Sequence, residues 1–478
     1  MHSPTTIEQS LALLTTIISK LPEERAVSQA PNAKELTAML DVSLSDDGAD
    51  SAALIDAATA YIKYNPDVSQ VAFFKLLYSG LNSPALLGDW VTSLSNATMH
   101  TYQVGPVATL MELELIKQWN ALVGFDEGDG VMVSGGSQAN LIGMMLARHK
   151  KLPHAKTRGF EGKTLIAFVS DQAHYSGLKA ANVLGIGTEN LIAVASDAEG
   201  RIDPEALEVA IKDALAKGYT PFFIGLTAGT TVIGAYDPVA SCSAIAKKYD
   251  LWLHIDGAWG APVLFSATHR HLIQDSHLAD SMAWDAHKLM NVPITAAVIL
   301  VKQAGLLHAT CSGGGGEYLF HKDENGAYNL GERSIQCGRR ADALKVWMSW
   351  KAIGHKGFSD KVDNLFHCKD HCVDLVERSP SLKMLAPAVF LNVLFRFEPL
   401  NAPKPLDEAQ LKELNIAICQ EMKSQGTYID YATYKGRAGI RFILANTLCQ
   451  KSDIDIMVTK CIAVGEALYQ QRQPLSQA

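Results

Sequence analysis

The sequence has no long run of basic residues, and its 42 lysines and arginines are outnumbered by 50 aspartates and glutamates, for a formal charge of −8 at neutral pH. Nucleic acids and anionic membranes both call for a clustered cationic footprint, so neither is expected as a partner. Cysteine is thinly spread, eight residues between Cys242 and Cys461 in a chain of 478, without the density of a disulfide-stapled scaffold. A reducing cytoplasm is the expected setting. Long apolar stretches are missing too: runs such as 294–301 fall far below the roughly 20 residues that cross a bilayer. The opening Met1-His2-Ser3-Pro4 lacks the basic flank of a secretory signal, and the apolar patch at 11–18 is interrupted by threonines, so no targeting segment is expected.

With 48% hydrophobic and 19% charged residues, the chain has the balance of a globular protein, and its length suits about three units or one large domain with appendages. Residues 6–64 carry apolar side chains at helical spacing, with Leu11, Leu14, Ile17 and Ile18 on one face and Leu54, Ala57, Ala58 and Tyr61 on another. A helical arm with so little aromatic bulk is expected to pack on another surface, which points to a dimer. Over 71–90 and again over 96–102, aromatic, small and polar residues alternate without a clean period, as in cleft-lining loops or an ordinary connector. An amphipathic helix is expected over 107–123.

From residue 163 strands and helices alternate, with strands expected at 164–169, 191–194, 222–226 and 251–255 and helices at 178–184, 204–217 and 241–249. Continuous apolar strands separated by helices predict an α/β fold with a largely parallel sheet covered on both faces and ligands beyond the strand carboxyl ends. Further helices are expected at 339–353 and 358–379. Strands at 389–397 and 439–444, with helices at 408–424 and 453–469, suit a small α+β unit, and the tail from 470 is expected to fray. The expected division is therefore a helical arm at 1–90, a large domain at 91–355 and a small domain at 356–478. His367-Cys368 and His371-Cys372 have a spacing that could hold a metal. The cysteines serve more readily as small apolar core residues, so no metal is expected.

Polar residues gather just after the strands: His174 in Ser170-Asp171-Gln172-Ala173-His174, Thr231 in Thr227-Ala228-Gly229-Thr230-Thr231, then Asp256-Gly257-Ala258, and Asp285-Ala286-His287-Lys288. Singly, each has a structural explanation, such as a satisfied core histidine or a helix cap. Jointly, four segments deliver an imidazole, hydroxyls, a carboxylate and an amine to one rim. Lys288 precedes the mostly apolar run at 294–301, and an ammonium near apolar walls must be paired, neutralised or covalently consumed. Condensation with the aldehyde of a pyridoxal phosphate cofactor would be the third fate, with a His-Lys pair on a loop as the plain alternative. Gly135-Gly136-Ser137 lies between a strand at 130–133 and a helix at 141–149, where backbone amides and the serine hydroxyl could seat a phosphate. It lacks the Gly-Lys-Ser/Thr of a nucleotide P-loop and the spacing of a dinucleotide fingerprint, so a plain strand-to-helix turn is the alternative. The glycine run at 313–316 leads into a long polar loop at 321–333 that contains Tyr328, and loops of this length are commonly functional.

These motifs, in this order, resemble the group II pyridoxal-phosphate-dependent amino acid decarboxylases, the family of the glutamate, cysteine sulfinate and aromatic amino acid decarboxylases, over about 73–455. The resemblance implies fold type I, the aspartate aminotransferase-like architecture, with pyridoxal 5'-phosphate as cofactor and a homodimer whose active sites lie at the subunit interface. By that similarity Lys288 holds the cofactor aldehyde, while His287, Gly136 and Ser137 serve its phosphate. His174 stacks on the ring, Ala258 presses the opposite face, Asp256 pairs with the ring nitrogen, and Thr231 lies nearby. Tyr328 matches the mobile-loop tyrosine, a candidate proton donor to the substrate Cα, and Arg441 matches an arginine that binds a substrate carboxylate. Phe74 and Thr101, in the expected cleft loops, complete the substrate contacts. Two departures stand out: Phe74-Lys75-Leu76-Leu77 replaces the Phe-Asn-Gln-Leu of glutamate decarboxylases, and Asp285-Ala286 replaces the usual Asn-Pro, as in bacterial members that include diaminobutyrate decarboxylases. The implied reaction is decarboxylation of an L-amino acid, with glutamate, aspartate or cysteine sulfinate as the expected substrate. Aromatic or diamino acids, and an aminotransferase or aldehyde-forming outcome, are the alternatives. A non-catalytic protein on the same fold is disfavoured by the intact Lys288, Asp256 and His174.

Overall fold

Asp129–Val133 (β1), Leu165–Ser170 (β2), Leu191–Val194 (β3), Thr220–Thr227 (β4), Trp252–Asp256 (β5), Ser281–Asp285 (β6) and Ala297–Val301 (β7) form one sheet in the order β1-β7-β6-β5-β4-β2-β3. Strand β7 runs antiparallel between β1 and β6, and the other six strands share one direction. Every position of β1, β6 and β7 is buried, as expected for apolar strands covered on both faces. The computed structural model describes residues 4–472 apart from 23–26, 29, 45, 315, 317, 321–322 and 403. A second sheet, antiparallel throughout, joins Leu382–Met384 (β8), Asn392–Phe397 (β9), Asp430–Tyr434 (β10) and Arg437–Ile443 (β11) in the order β10-β11-β9-β8. The expected α/β fold with its largely parallel sheet and small C-terminal α+β unit is what the chain adopts.

The N-terminal arm consists of Pro4–Ser19 (α1), Ala33–Met39 (α2) and Ser51–Tyr64 (α3), and no residue of α2 or α3 is buried. The stretch expected to be loop at 71–90 requires correction, because Ser83–Ser95 (α4) is helical and the expected boundary at residue 90 falls inside it. The side chain of Asn82 caps the Ala85 amide and Pro84 sits in the first turn, both ordinary start signals. Its stripe is inverted: small Ala85, Gly88 and Thr92 face inward, while Leu87, Trp90, Val91 and Leu94 are exposed. A Cβ on Gly88 would lie 2.6 Å from Lys345 Cα, so α4 and the helix that starts at Ala343 meet backbone to backbone.

Pro106–Val123 (α5) lies where the periodicity places it. Gly136–Lys151 (α6) begins at Gly136, not at 141, because Gln138 closes the turn early: its Oε1 accepts from both Ser134 N and Ser134 Oγ at 2.7 Å. The helices expected at 339–353 and 358–379 form Ala343–Arg378, broken at Gly354 where φ is 71°. The last helix, Lys451–Arg472, continues past residue 470, correcting the expected fraying up to that point. Residues 473–478, Gly315, Glu317 and His321 lie outside the described residues. No helix among the described residues is long and apolar enough to cross a membrane.

Behind β6, Trp284 is fully buried, with ring centroids 6.3 Å from Trp119 and 5.8 Å from Phe265. It immediately precedes Asp285, so this aromatic cluster anchors the strand end that carries Lys288. Trp284→Ala is expected to cost about 3–5 kcal/mol in stability. Trp284→Phe should cost less, because the indole Nε1 it removes has no hydrogen-bond partner. Denaturant unfolding of the two variants measures both.

Candidate active site

The carboxyl ends of β1, β2, β4, β5 and β6 open onto one cavity of about 460 Å³, within the range of small-molecule and cofactor sites. Its floor begins where β1 turns into α6. Gly135 has φ 151°, and a Cβ on Gly136 would lie 2.7 Å from Asp285 Oδ2 and 3.2 Å from Ala258 Cβ. A side chain at position 136 would have to displace Asp285. The helix start leaves the amides of Gly136 and Ser137 without intrahelical acceptors, facing an anion-sized space.

Opposite this turn, Lys288 Nζ lies 3.1 Å from Asp285 Oδ2, and His287 Nε2 lies 3.6 Å from the same oxygen. Asp285 Oδ1 is buried without a hydrogen-bond partner. Burial lowers the His287 pKa, so its ring is neutral at neutral pH. Ala296 presents both its carbonyl (2.9 Å) and its amide (3.2 Å) to His287 Nδ1. When the amide donates there, Nε2 carries the proton and can donate into the cavity.

Asp256 ends β5 and caps no helix. Its Oδ1 accepts from the Ala258 amide at 3.1 Å and its Oδ2 from Asn140 Nδ2 at 2.6 Å, leaving further lone pairs for a cationic N–H. His174 lines the same cavity. Its Nδ1 accepts from the Ser176 amide at 3.2 Å, and burial lowers its pKa against the opposing pull of Asp256. A neutral His174 thus carries its proton on Nε2. Ala258 and Thr231 complete the wall.

Eight of the expected residues therefore share one cavity: Gly136, Ser137, His174, Thr231, Asp256, Ala258, His287 and Lys288. Arg441 stands just behind the wall, with Nη1 donating to Thr231 O at 3.2 Å and Nη2 to Lys75 O at 2.8 Å, and its Nε is buried without a partner. Phe74 does not line the cavity. It is buried against Phe442, with ring centroids 4.3 Å apart, and Leu77 lines the cavity from the same segment. Thr101 and Tyr328 also lie apart: Thr101 is buried beside Tyr102, whose ring is 5.4 Å from that of Tyr328. Asn140, which sequence reasoning left without a role, contacts Asp256 directly; its signal was a weak helix former on the buried face of α6. Among the described residues no cluster of metal-ligating side chains occurs, and Cys368 and Cys372 are buried in the core.

The cavity suits a pyridoxal phosphate: backbone amides at a glycine turn for an anion, an amine, a flanking imidazole and a carboxylate with spare acceptor capacity. The comparisons agree. Residues 33–398 match the family described as the pyridoxal-dependent decarboxylase conserved domain. Cysteine sulfinic acid decarboxylase of Rattus norvegicus is 36% identical over 444 residues, covering 91% of this chain and 90% of that protein. Acidic amino acid decarboxylase GADL1 of Bos taurus is 34% identical over 443 residues, covering 91% and 85%. The crystal structure of mouse CSAD in apo form, at 32% identity, has a TM-score of 0.92 over 97% of this chain and 99% of that one. Oryza sativa TDC with PLP and tryptamine, at 21% identity, shares the fold with a TM-score of 0.90 over 98% and 99%. On the site's own chemistry and on these matches, the chain belongs to the pyridoxal-dependent decarboxylase family.

Proposed function

We propose that this pyridoxal-phosphate-dependent amino acid decarboxylase acts on an acidic L-amino acid, glutamate, aspartate or cysteine sulfinate, releasing carbon dioxide and the amine. The observation that carries the substrate class is Arg441: a guanidinium just behind the cavity wall, donating to the Thr231 and Lys75 carbonyls, with a buried Nε that has no partner among the described residues. Leaving such a donor unpaired costs roughly 1–3 kcal/mol, which an anionic substrate group would recover. The names of the relatives, cysteine sulfinic acid decarboxylase and acidic amino acid decarboxylase, support the same class.

When bound, pyridoxal phosphate supplies an electron sink for the carbanion left by carbon dioxide. Lys288 Nζ would bind its aldehyde carbon, and the amides of Gly136 and Ser137, with His287, would hold its phosphate. Asp256 would accept a hydrogen bond from the protonated ring nitrogen and keep it charged. His174 and Ala258 would hold the ring plane, and orientation of this kind lowers a barrier by several kcal/mol. Tyr328 is assigned the proton that Cα receives, since a phenol remains a donor at neutral pH. It lines no part of its own chain's cavity, so we assign it to the cavity of the second subunit of a homodimer. The outer faces of α4 and α5, with Leu87, Trp90, Leu94, Val107 and Leu110 exposed, are the surfaces such a dimer would cover. The cysteines of the described residues are all unbonded and six of the eight are buried, which suits a cytoplasmic enzyme.

Release of labelled carbon dioxide from carboxyl-labelled amino acids is expected with acidic substrates, and turnover confined to aromatic or basic amino acids would overturn the substrate class. Borohydride reduction of the holoenzyme followed by peptide mass spectrometry should find the reduced phosphopyridoxyl adduct on Lys288, and Lys288→Ala should abolish it together with turnover. Tyr328→Phe should divert product from amine towards aldehyde or aminated cofactor. An unchanged product ratio would remove Tyr328 from its role.

A further inference from the structure

Strand β5 alternates, so Trp252, His254 and Asp256 point to the same face of the sheet. His254 pairs in register with Ser281 of β6, and α6 lies across both strands with Asn140 and Gly143 towards them. A Cβ on Gly143 would come within 2.7 Å of His254 Nδ1, so this glycine admits the histidine beneath the helix. The contacts form an unbroken line. Trp252 Nε1 lies 2.9 Å from Ser281 Oγ, Ser281 Oγ lies 2.8 Å from His254 Nδ1, His254 Nε2 lies 3.0 Å from Asn140 Oδ1, and Asn140 Nδ2 lies 2.6 Å from Asp256 Oδ2.

The two ends of the line fix its proton arrangement. An indole N–H can only donate and a carboxylate can only accept, so Ser281 Oγ accepts from Trp252 and Asn140 turns its NH2 to Asp256; Asn140 Oδ1 then faces His254 Nε2 as an acceptor, which leaves His254 Nδ1 to take the Ser281 proton. His254 is fully buried and burial lowers its pKa to about 4, so the neutral ring carries its single proton on Nε2. Asn140 Oδ1 must accept that proton. The carboxamide is thereby fixed with its NH2 towards Asp256 Oδ2 and towards Ser176 Oγ, 2.9 Å away. Serial donors of this kind polarise one another in a low-dielectric interior.

We infer that Trp252, Ser281, His254 and Asn140 form a one-way donor chain that orients the Asp256 carboxylate towards the cofactor ring nitrogen, making His254 and Asn140 positioning residues. This rests on the reading of Asp256 as the ring-nitrogen partner. Without the Nε2 proton the Asn140 amide is free to turn over, and its oxygen then faces the carboxylate it had been holding.

The test compares binding of two ligands to the apoprotein by quenching of tryptophan fluorescence: pyridoxal phosphate and its deaza analogue, which carries C–H in place of the ring nitrogen. A charge-assisted hydrogen bond to the ring nitrogen should make the wild-type protein prefer the natural cofactor by about tenfold or more. His254→Leu should cut this preference to about threefold or less with little change in affinity for the analogue, and His254→Gln, whose amide can place an N–H near the Nε2 position, should restore most of it. Ser281→Ala, on the far side of His254, should lower the preference by about threefold and carries the test if His254→Leu does not fold. An unchanged preference in these variants, or equal weakening of both ligands, overturns the inference while leaving Asp256 in place. A wild-type protein that does not distinguish the two ligands overturns the reading of Asp256, and this inference with it.

Discussion

An ammonium held against a buried carboxylate at the end of a buried strand is the constraint on which the site depends. Lys288 Nζ and Asp285 Oδ2 are 3.1 Å apart, and Asp285 is almost entirely removed from solvent. Taking two such charges out of water costs several kcal/mol for each, and attraction offsets this only when the remaining lone pairs are also satisfied. Here they are not, because Asp285 Oδ1 has no partner. The arrangement is poor as a fold-stabilising device. The protein tolerates it because the neighbours Trp284 and Ala286 are packed into the core on either side.

The rest of the site follows from parallel strands ending at one level. Each strand end contributes a different chemistry, and each contributed group is oriented by something behind it: His174 by the Ser176 amide, His287 by Ala296, Asp256 by Ala258 and Asn140. Burial lowers the pKa of both imidazoles and favours their neutral form, and in His174 the Ser176 amide fixes the proton on Nε2. The cavity thus has fixed donors and acceptors before any ligand arrives, and little reorganisation remains to be done on binding.

Much of this was legible in the sequence because it depends on local pattern. Apolar strands followed by short polar segments mark the rim, and the eight residues that share the cavity all come from those segments or from the glycine turn. What was not legible depends on tertiary context. Helix α4 reads as loop because its apolar side chains face outward and its small ones inward, the reverse of a monomeric surface helix. Helix α6 starts early because a glutamine side chain closes its first turn. Asn140 looks like an ordinary polar residue until β5 is placed beneath it, and Phe74 looks like a cleft residue until Phe442 is placed beside it. Thr101 and Tyr328 sit together, away from the amine, because the loop that carries Tyr328 packs on Tyr102 within the same chain.

The reversed strand β7 has a consequence for how the protein is made. Strand β1, which carries the glycine turn, lies at the edge of the sheet, and its sole strand neighbour is β7. More than 160 residues of chain separate these partners, from Val133 to Ala297. Until the ribosome has delivered Ala297–Val301, β1 has nothing to pair with and the anion seat has no support. The cofactor therefore has no finished place to bind during synthesis of the first three-fifths of the protein, and the order of translation itself delays vitamin capture until the large sheet is complete.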